Sequence, residues 1–491
     1  MDASRGVRVA VVGRVERNLR LAELDLTAPA PGRAKLRTPT RGLALRLGLV
    51  AIAAWLVAMA IAQAAAASSE LPRPAALAPN VAFWRDIFAK YSEHQVVIHD
   101  DWYLDKVYTV LDFRDWAGPD GRLNGAQERQ REIDVKAAQE RYRRILRRLQ
   151  RSGGNAAGLG AEERRVRDLF RNVPGSQKYQ QAAERVRGQR GLRERFRAGL
   201  ARQKGYRAEM ERILRAHGVP PELAVMPMIE STFDLDAYSK VGAAGVWQFM
   251  PRTGREYMRV DALIDERRDP LRSTHAAAQH LRRDRKTLGE WPLAVTAYNH
   301  GCGGISRAVR SVGSKDIGRI AREYRGTAFG FASRNFYAEL LAAIDVVARE
   351  NEYFGPIAPV PAPRSREVRL SRPMRVHQAA QHVGVPSNQL VALNPAFLPR
   401  VIDGSASIPG GYSLRVPLSA RDGHLATTQA AARREEKGLP AYRFHEVKPG
   451  QTLAAIARKY GTSVTAIQGL NGVRKPQHLR VGTRLKIPVS G

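Results

Sequence analysis

The chain has 491 residues, of which 44% are hydrophobic, and this is enough for roughly three domains with buried cores. Its formal net charge of +33 indicates a polyanionic partner: nucleic acid, anionic lipid headgroups, or a wall polymer that carries peptide carboxylates. The single cysteine, Cys302, excludes an internal disulfide.

Residues 1–64 have the layout of an export signal with a basic leader. An apolar segment at 47–61 follows several arginines and precedes Ala62-Gln63-Ala64, a typical cleavage site. Cleavage releases the protein, whereas an uncleaved segment remains as a signal anchor and associates the protein with the membrane. The preceding positive charge places the remainder in the periplasm or cell envelope. No cysteine stands directly after the apolar segment, where a lipid would be attached, so we do not expect a lipoprotein.

Residues 80–216 predict a helical scaffold, because apolar positions recur at helical spacing among many charges. One face of its last helix is apolar and is expected to pack against the next domain. That face comprises Phe196, Leu200, Tyr206, Met210, Ile213 and Leu214. We interpret the nearby arginines as a solvated surface rather than a specific anion site. They are Arg187, Arg190, Arg193, Arg195, Arg197 and Arg202.

The most informative stretch spans residues 220–252. Two prolines predict a helix start, and the apolar run that follows ends on a carboxylate, Glu230. A Glu at a helix end is usually solvated, but partial burial would raise its pKa and suit it to general acid chemistry. After a polar loop, small residues from Gly242 to Gly245 allow the backbone to approach a ligand closely.

Three further helices are predicted in this domain, which we assign to residues 217–354. Asp269 is expected to cap the first of them, which continues to Leu288. The second covers 291–299, and the third covers 334–352. No convincing strand pattern is present, so the fold class is mainly α.

Several short motifs occur together in this domain. They are Glu230-Ser231-x-Phe233, Ser239, Gly242-Ala243-x-Gly245-x-x-Gln248-x-Met250-Pro251 and Ala297-Tyr298-Asn299-x-Gly301. Over residues 219–353 this pattern resembles the family 1 lytic transglycosylases. The resemblance implies a lysozyme-like helical domain that cleaves peptidoglycan without a cofactor.

The resemblance also assigns roles to particular residues. It makes Glu230 the catalytic acid and base, with the N-acetyl group of the substrate replacing the second carboxylate that most glycosidases need. The substrate-binding residues that it implies are Ser239, Gln248, Met250, Tyr298 and Asn299. Structural alternatives are loop capping for Ser239 and Gln248, core filling for Met250, and a half-buried helix aromatic for Tyr298.

A proline-rich linker at 355–365 precedes an internal repeat. Residues 383–394 align with 460–471, and 411–417 align with 482–488. The two copies occupy 366–418 and 441–490, and a charged flexible linker at 419–440 separates them.

The second copy predicts a β-α-α-β unit that resembles a LysM module. This resemblance implies binding of N-acetylglucosamine chains through Gly450, Gln451, Thr452 and Leu453. The first copy is degenerate, because Pro373 stands where the second copy has Gly450. Its sugar-binding loop is therefore less certain than its fold.

We predict no metal site. His275, His280, His300 and Cys302 are close in sequence, but positions 275 and 280 do not share a helix face, and the motifs typical of zinc sites do not occur.

The leading hypothesis is an exported lytic transglycosylase that acts on peptidoglycan glycan strands and is targeted to them by LysM. It leaves 1,6-anhydro-N-acetylmuramic acid ends. The alternatives are a hydrolytic muramidase and a non-catalytic scaffold that binds the wall. A nucleic-acid partner is not expected, because an export signal precedes the domains.

Overall fold

The computed structural model describes residues 70–155, 157–420, 442–471, 473, 479 and 482–488. The predicted export signal at 1–64 and nearly all of the linker at 419–440 lie outside these residues. In the described residues, no helix has both the length and the apolar character needed to cross a bilayer.

Helices dominate the described chain, as predicted, and short strands pair in three places. The helices are α1 (Ala78–Ala89), α2 (Gly125–Arg151), α3 (Ala161–Leu169), α4 (Lys178–Glu184), α5 (Arg193–Ala216), α6 (Met226–Ser231), α7 (Pro251–Gly254), α8 (Pro270–Leu288), α9 (Trp291–His300), α10 (Cys302–Val312), α11 (Ile317–Glu323), α12 (Phe331–Ala348), α13 (Glu350–Phe354), α14 (Val376–Val383), α15 (Ser387–Leu393), α16 (Pro399–Ile402), α17 (Leu453–Lys459) and α18 (Val464–Asn471). The strands are β1 (Gln95–Asp100), β2 (Val107–Asp112), β3 (Val186–Arg190), β4 (Ser365–Arg369), β5 (Ser413–Pro417), β6 (Tyr442–Glu446) and β7 (Arg484–Pro488).

The largest core joins α1 and α5 to α6 and α8–α12. The predicted apolar face of α5 supplies Phe196, Leu200, Met210 and Leu214 to it, so the expected packing of that face is confirmed. Helices α1 and α5 were assigned to the scaffold from sequence, but they share the core of the domain that follows. The Asp269 cap of α8 is also confirmed, because its carboxylate accepts hydrogen bonds from two backbone amides.

An antiparallel sheet with the order β2-β1-β3 corrects the expectation that residues 80–216 are helical. Strand β1 is buried on both faces: Val97 lies in the largest core, whereas Val96 and Ile98 lie in a second core with α2–α4. A strand that separates two cores has no alternating pattern, and a short apolar run alone does not distinguish a strand from a buried helix.

The first repeat copy forms a module in which β4 pairs with β5 around α14 and α15. This module packs directly against the preceding domain and is not joined to it by the linker alone. Ile264 enters the module's core, and the Asp265 amide donates to the Ala396 carbonyl at 2.8 Å. At the same contact, Arg415 forms an ion pair with the Asp269 carboxylate that caps α8.

The proline-rich linker lies along α5. The Val360 amide donates to the Ala201 carbonyl at 2.7 Å, and Lys204 donates to the Ile357 carbonyl at 2.9 Å. A Cβ at Gly205 would lie 2.3 Å from the Val360 carbonyl oxygen, so this close approach requires glycine.

The second copy has the predicted β-α-α-β arrangement, with β6 paired to β7 over α17 and α18. A side chain caps each of the two helices. The Thr452 hydroxyl accepts from the Ala455 amide at 3.2 Å, and the Ser463 hydroxyl accepts from the Ala466 amide at 3.0 Å.

Arg415→Met should lower the free energy of unfolding by about 3 kcal/mol, because it removes the closer cation from the buried Asp269 carboxylate and leaves only Arg272, at 3.7 Å, to offset its charge. Only 2% of the Asp269 side chain and 13% of the Arg415 side chain are exposed. Thermal unfolding of the full chain measures this change. Arg400→Met, at an exposed position of the same module, is the control. Equal stability of the two variants would show that the ion pair contributes nothing.

Candidate active site

Glu230 lies near the end of α6, in the helix that the sequence predicted. A short 3₁₀ helix, Pro221–Val225, leads into α6, and its apolar residues are buried. Thr232 and Phe233 then take positive φ angles of 49° and 51°, which end the helix one turn after it begins. Positive φ is strained for such residues and persists only where the surroundings enforce it.

Helix α5 enforces that turn. A Cβ at Gly199 would lie 2.3 Å from the Thr232 carbonyl oxygen, so the two backbones touch there. Arg202 donates to the carbonyls of Phe233 at 2.8 Å and Thr232 at 3.0 Å. The turn that fixes Glu230 is therefore held by a helix outside the recognised motifs.

The loop after α6 folds back on itself through its motif residues. The Ser239 hydroxyl accepts from the Ala243 amide at 2.8 Å. Gln248 has a φ of 47°, and its side-chain amide donates to the Gly245 carbonyl at 2.8 Å. Ser239 and the Gln248 amide thus both stabilise the loop, as the structural alternative proposed. The oxygen of the Gln248 side chain is not used in that bond.

A buried ion pair holds this loop from behind. Arg267 binds Asp265 and also donates to the carbonyls of Gly242 at 2.7 Å and Phe249 at 2.9 Å. Gly245 has a φ of 73°, and a Cβ there would lie 1.8 Å from the Arg267 carbonyl oxygen. Only glycine fits this contact, which gives the motif glycine a packing role.

Tyr298, on α9, reaches the same place. Its hydroxyl donates to the Trp247 carbonyl at 2.8 Å, next to the loop residue Gln248. Burial, and then the nearby charge of Glu230, raise the pKa of Tyr298 far above its usual value. The phenol therefore stays protonated and can donate a hydrogen bond.

The structure places the other two predicted binding residues at the surface. The Met250 side chain is 42% exposed. The structural alternative, in which Met250 fills the core, is therefore wrong, and its role in substrate binding stays a prediction. Asn299 is exposed as well, and its side-chain oxygen accepts from the Ser333 hydroxyl at 2.8 Å. That bond ties the end of α9 to α12.

The Glu230 side chain is half-buried, and the desolvation of its carboxyl raises its pKa to about 8. A second carboxyl that sequence reasoning missed, Glu339 on α12, is also half-buried and interacts with it. Desolvation first, and then the charge of Glu230, raise the pKa of Glu339 to about 8, while Arg187 opposes the shift. With these pKa values, both carboxyls keep their protons near neutral pH.

A signal for Glu339 was available in the sequence. It is an acidic residue within the apolar helix α12, the same kind of signal that drew attention to Glu230. Nothing in the sequence linked it to Arg187, which belongs to β3 and stacks over the Phe331 ring at 4.1 Å. The sheet brings that arginine to the site: Arg187 is exposed, as the interpretation of a solvated surface requires, but it lies on a strand and not on a helix.

Comparison with known families agrees with this geometry. Residues 209–320 match the family described as Transglycosylase SLT domain. The chain carries an SLT domain. The match contains Glu230, the loop and Tyr298, whereas Glu339 lies beyond its end. Residues 445–488 match the LysM domain, and residues 364–430 match the LysM-like domain of lytic transglycosylase MltD.

The chain is also similar to known proteins over part of its length. The chain is 28% identical over 281 residues to the membrane-bound lytic murein transglycosylase D of Escherichia coli K12. That match covers 56% of this chain and 61% of the relative. A protein from Alteromonas sp. strain M-1, named for tributyltin chloride resistance, is 36% identical over 99 residues, which cover 20% of this chain and 48% of that protein. A solved inactive mutant of the lytic transglycosylase Slt from Pseudomonas aeruginosa is 23% identical, with a TM-score of 0.25, over 32% of this chain and 25% of its own.

The predicted glycan-binding residues of the LysM domain differ in how accessible they are to a ligand. Gly450 has a φ of 78° and open space around its Cα, and Thr452 caps α17. The Gln451 side-chain oxygen accepts from the Lys448 amide at 2.9 Å. Leu453 is 1% exposed, so its side chain belongs to the core and only its backbone can face a ligand.

The histidines near the SLT site have separate partners. His275 lies 3.2 Å from His217, nitrogen to nitrogen, whereas His280 contacts the Tyr257 hydroxyl at 3.1 Å. His300 lies 3.2 Å from the Ser333 hydroxyl. Across the described ranges, no group of three or more histidine, cysteine or acidic side chains could hold a metal ion.

Glu339→Gln should make stability less dependent on pH. In the parent, a carboxyl that keeps its proton to about pH 8 when folded, but loses it near pH 4.5 when unfolded, costs stability as pH rises through that window. The cost is up to about 1.4 kcal/mol for each pH unit. The variant should therefore lose less Tm than the parent between about pH 5 and pH 8.

The matched control is Glu352→Gln, whose side chain is 64% exposed. It should follow the pH profile of the parent. If Glu339→Gln also follows that profile, then Glu339 is ionised in the folded protein at neutral pH, contrary to the geometry described above.

Proposed function

We propose that this chain is a peptidoglycan lytic transglycosylase, and that Glu230 is its only acid and base. The observation that carries this proposal is a protonated carboxyl on a fixed turn, in an SLT domain, beside the protonated Tyr298. A general acid needs its proton at the working pH, and a pKa of about 8 provides it.

In the first step, Glu230 gives its proton to the O4 atom of N-acetylglucosamine as the bond from C1 of the muramoyl residue breaks. Positive charge develops at C1, and the carbonyl oxygen of the substrate's own N-acetyl group stabilises it. We assign Tyr298 and the free oxygen of Gln248 to holding that N-acetyl group. Tyr298 interacts with Glu230 and is bonded to the loop at Trp247, and Gln248 is the next residue of that loop.

In the second step, the Glu230 carboxylate takes the proton from the C6 hydroxyl of the same muramoyl residue. The O6 atom then bonds to C1 and closes a 1,6-anhydro ring, and Glu230 regains its proton for the next cycle. Since the hydroxyl and the leaving group belong to one substrate, no water is consumed and no metal is needed.

A hydrolytic muramidase would need an ionised second carboxylate inside the site, and the described carboxyls near Glu230 do not fit that role. Asp234 and Asp236 are exposed on the loop after α6, and the Asp234 carboxylate is engaged by the Asp236 amide at 3.1 Å. Glu339 is close to Glu230, but its raised pKa keeps it protonated, so it does not act as a base at neutral pH. Among these carboxyls, only Glu230 combines position with a usable proton.

We propose further that the LysM domain brings the enzyme to the wall by binding glycan strands. The E. coli relative is named as membrane-bound, which supports a place in the cell envelope. We infer that residues 1–64 direct the export and, when uncleaved, anchor the protein to the membrane. We keep the assignment of residues 441–490 as the wall-binding domain.

The products of digestion test the chemistry. Muropeptides released from purified peptidoglycan should be lighter than hydrolytic ones by one water and should resist borohydride reduction, because their C1 is blocked by the anhydro ring. Mass spectrometry measures both properties. Glu230→Gln keeps the side-chain shape but removes the proton, so it should lower turnover by about 1,000-fold or more.

Asp234→Asn and Asp236→Asn are the matched controls, since both remove a nearby exposed carboxylate. Each should retain most of the activity. Reducible muramic acid ends as the main product, or loss of turnover in either Asp variant with the fold intact, would assign the enzyme to the muramidases. Activity of Glu230→Gln within tenfold of the parent would show that another group supplies the proton.

Deleting residues 442–491 should weaken co-sedimentation with insoluble peptidoglycan and leave cleavage of soluble glycan fragments nearly unchanged. This follows if the LysM domain supplies wall affinity and the SLT domain supplies catalysis. The same assays on the full chain are the control. If both forms sediment equally, and binding collapses as salt rises, surface charge carries the affinity, because exposed charges are screened within about 8 Å at physiological ionic strength.

A further inference from the structure

A cavity of about 300 Å³ lies where the N-terminal sheet meets the SLT domain. Its walls come from the loop between β1 and β2, from the residues around the start of α1, and from α11 and α12. The polar and aromatic residues that line it are Asn80, Trp102, Tyr103, Arg322, Arg325 and Arg334. Its volume is at the small end of the range for ligand sites.

Trp102 lines this cavity, but its ring is not available to stack on a sugar. The guanidinium groups of Arg325 and Arg334 each lie 4.0 Å from its ring centroid. A stacked guanidinium leaves the N–H groups at its edges available, and these match a carboxylate in two parallel hydrogen bonds. The arrangement therefore favours an anion over a neutral sugar.

The cations in the cavity outnumber its anions. Arg322 and Arg325 are exposed, and Arg325 is held by the main-chain carbonyl of Arg322 at 2.6 Å. The acidic residue in the lining, Asp105, already forms an ion pair with Lys106 at 2.6 Å. The guanidinium groups of Arg322 and Arg325 therefore give the cavity an excess of positive charge.

Arg334 supplies a second, independent sign of a ligand. Its side chain is 9% exposed. It donates to the Asp101 carbonyl at 2.8 Å and forms an ion pair with the Asp101 carboxylate at 3.6 Å. Its Nε atom is nevertheless buried and has no hydrogen-bond partner within the described residues. A buried N–H group without a partner is costly, so this part of the guanidinium is suited to an additional acceptor.

The cavity and the groups at Glu230 are joined through α12. Arg334 and Glu339 are five residues apart on this helix, about 7.5 Å along its axis but on different faces. Arg187, from β3, stacks on Phe331 at the start of α12 and also interacts with Glu339. The cavity is therefore distinct from the site at Glu230, with one cationic group, Arg187, between the two.

We propose that this cavity binds carboxylates of the peptide stems that peptidoglycan carries on its muramoyl residues. The inference rests on the proposed function and adds to it a subsite, formed by Trp102, Arg322, Arg325 and Arg334, that reads the peptide rather than the glycan. The N-terminal sheet is then a part of the substrate site and not only a scaffold.

Binding of two kinds of glycan chain tests the subsite. The reference protein is the full chain with Glu230→Gln, so that binding is measured without cleavage. Its affinity for soluble chains with intact stems should exceed, by about tenfold, its affinity for the same chains after an amidase has removed the stems. Isothermal titration calorimetry measures both.

In the same background, Arg322→Gln with Arg325→Gln should reduce affinity for stem-bearing chains to the value for stem-free chains, and leave the latter unchanged. Arg144→Gln with Arg147→Gln removes equal charge from exposed positions of α2 and should keep the tenfold preference. Unchanged thermal unfolding shows that both double variants are folded.

Two results would overturn the inference alone: equal affinity of the reference protein for both kinds of chain, or loss of the preference in the α2 variant as well. Both leave the proposed function standing, because stem-free chains still bind. If the reference protein binds neither kind of chain, the proposed function fails together with the subsite.

Discussion

The structure depends on one constraint: an acidic side chain must keep its proton at the end of a helix only six residues long. Desolvation gives Glu230 a pKa of about 8, but it does not fix the position of the side chain. That position is fixed by the left-handed turn at Thr232 and Phe233, which is strained. Contacts with Gly199 and Arg202 of α5 hold that turn. The rigid packing of α5 thus fixes the position of the proposed catalytic acid.

The N-terminal sheet also packs closely on the helical domain, and this packing fixes a charged group near Glu230. Strand β1 contributes to two cores at once, so it cannot shift without disturbing both. This fixes β3 beside it and brings Arg187 to the start of α12. A flexible tether could carry a charge to the cleft, but it would not keep that charge at one position.

The two LysM-type units illustrate how one fold takes different roles. In the first, the loop after α15 is covered by the SLT domain through Phe397 and Ile264. In the second, the turn at Gly450 is open, and nothing would obstruct a Cβ there. Pro373, which the repeat aligns with Gly450, is exposed as well, so docking covers a different loop of the first unit. The two units therefore differ at the turn itself, where the first has proline and the second has glycine.

The sequence by itself determined the helical class, the capped helix after Asp269, the helix from Trp291, the β-α-α-β unit of the second copy and the place of Glu230 near a helix end. These features depend on neighbours in the chain: periodicity, caps, turns and motif spacing carry them. Only the tertiary structure decided the sheet, the Glu339 partner, the docking of the first module and the cationic cavity. Each of these joins residues that are far apart in sequence, such as Arg187 with Glu339, and their burial on two sides leaves no periodic pattern to recognise.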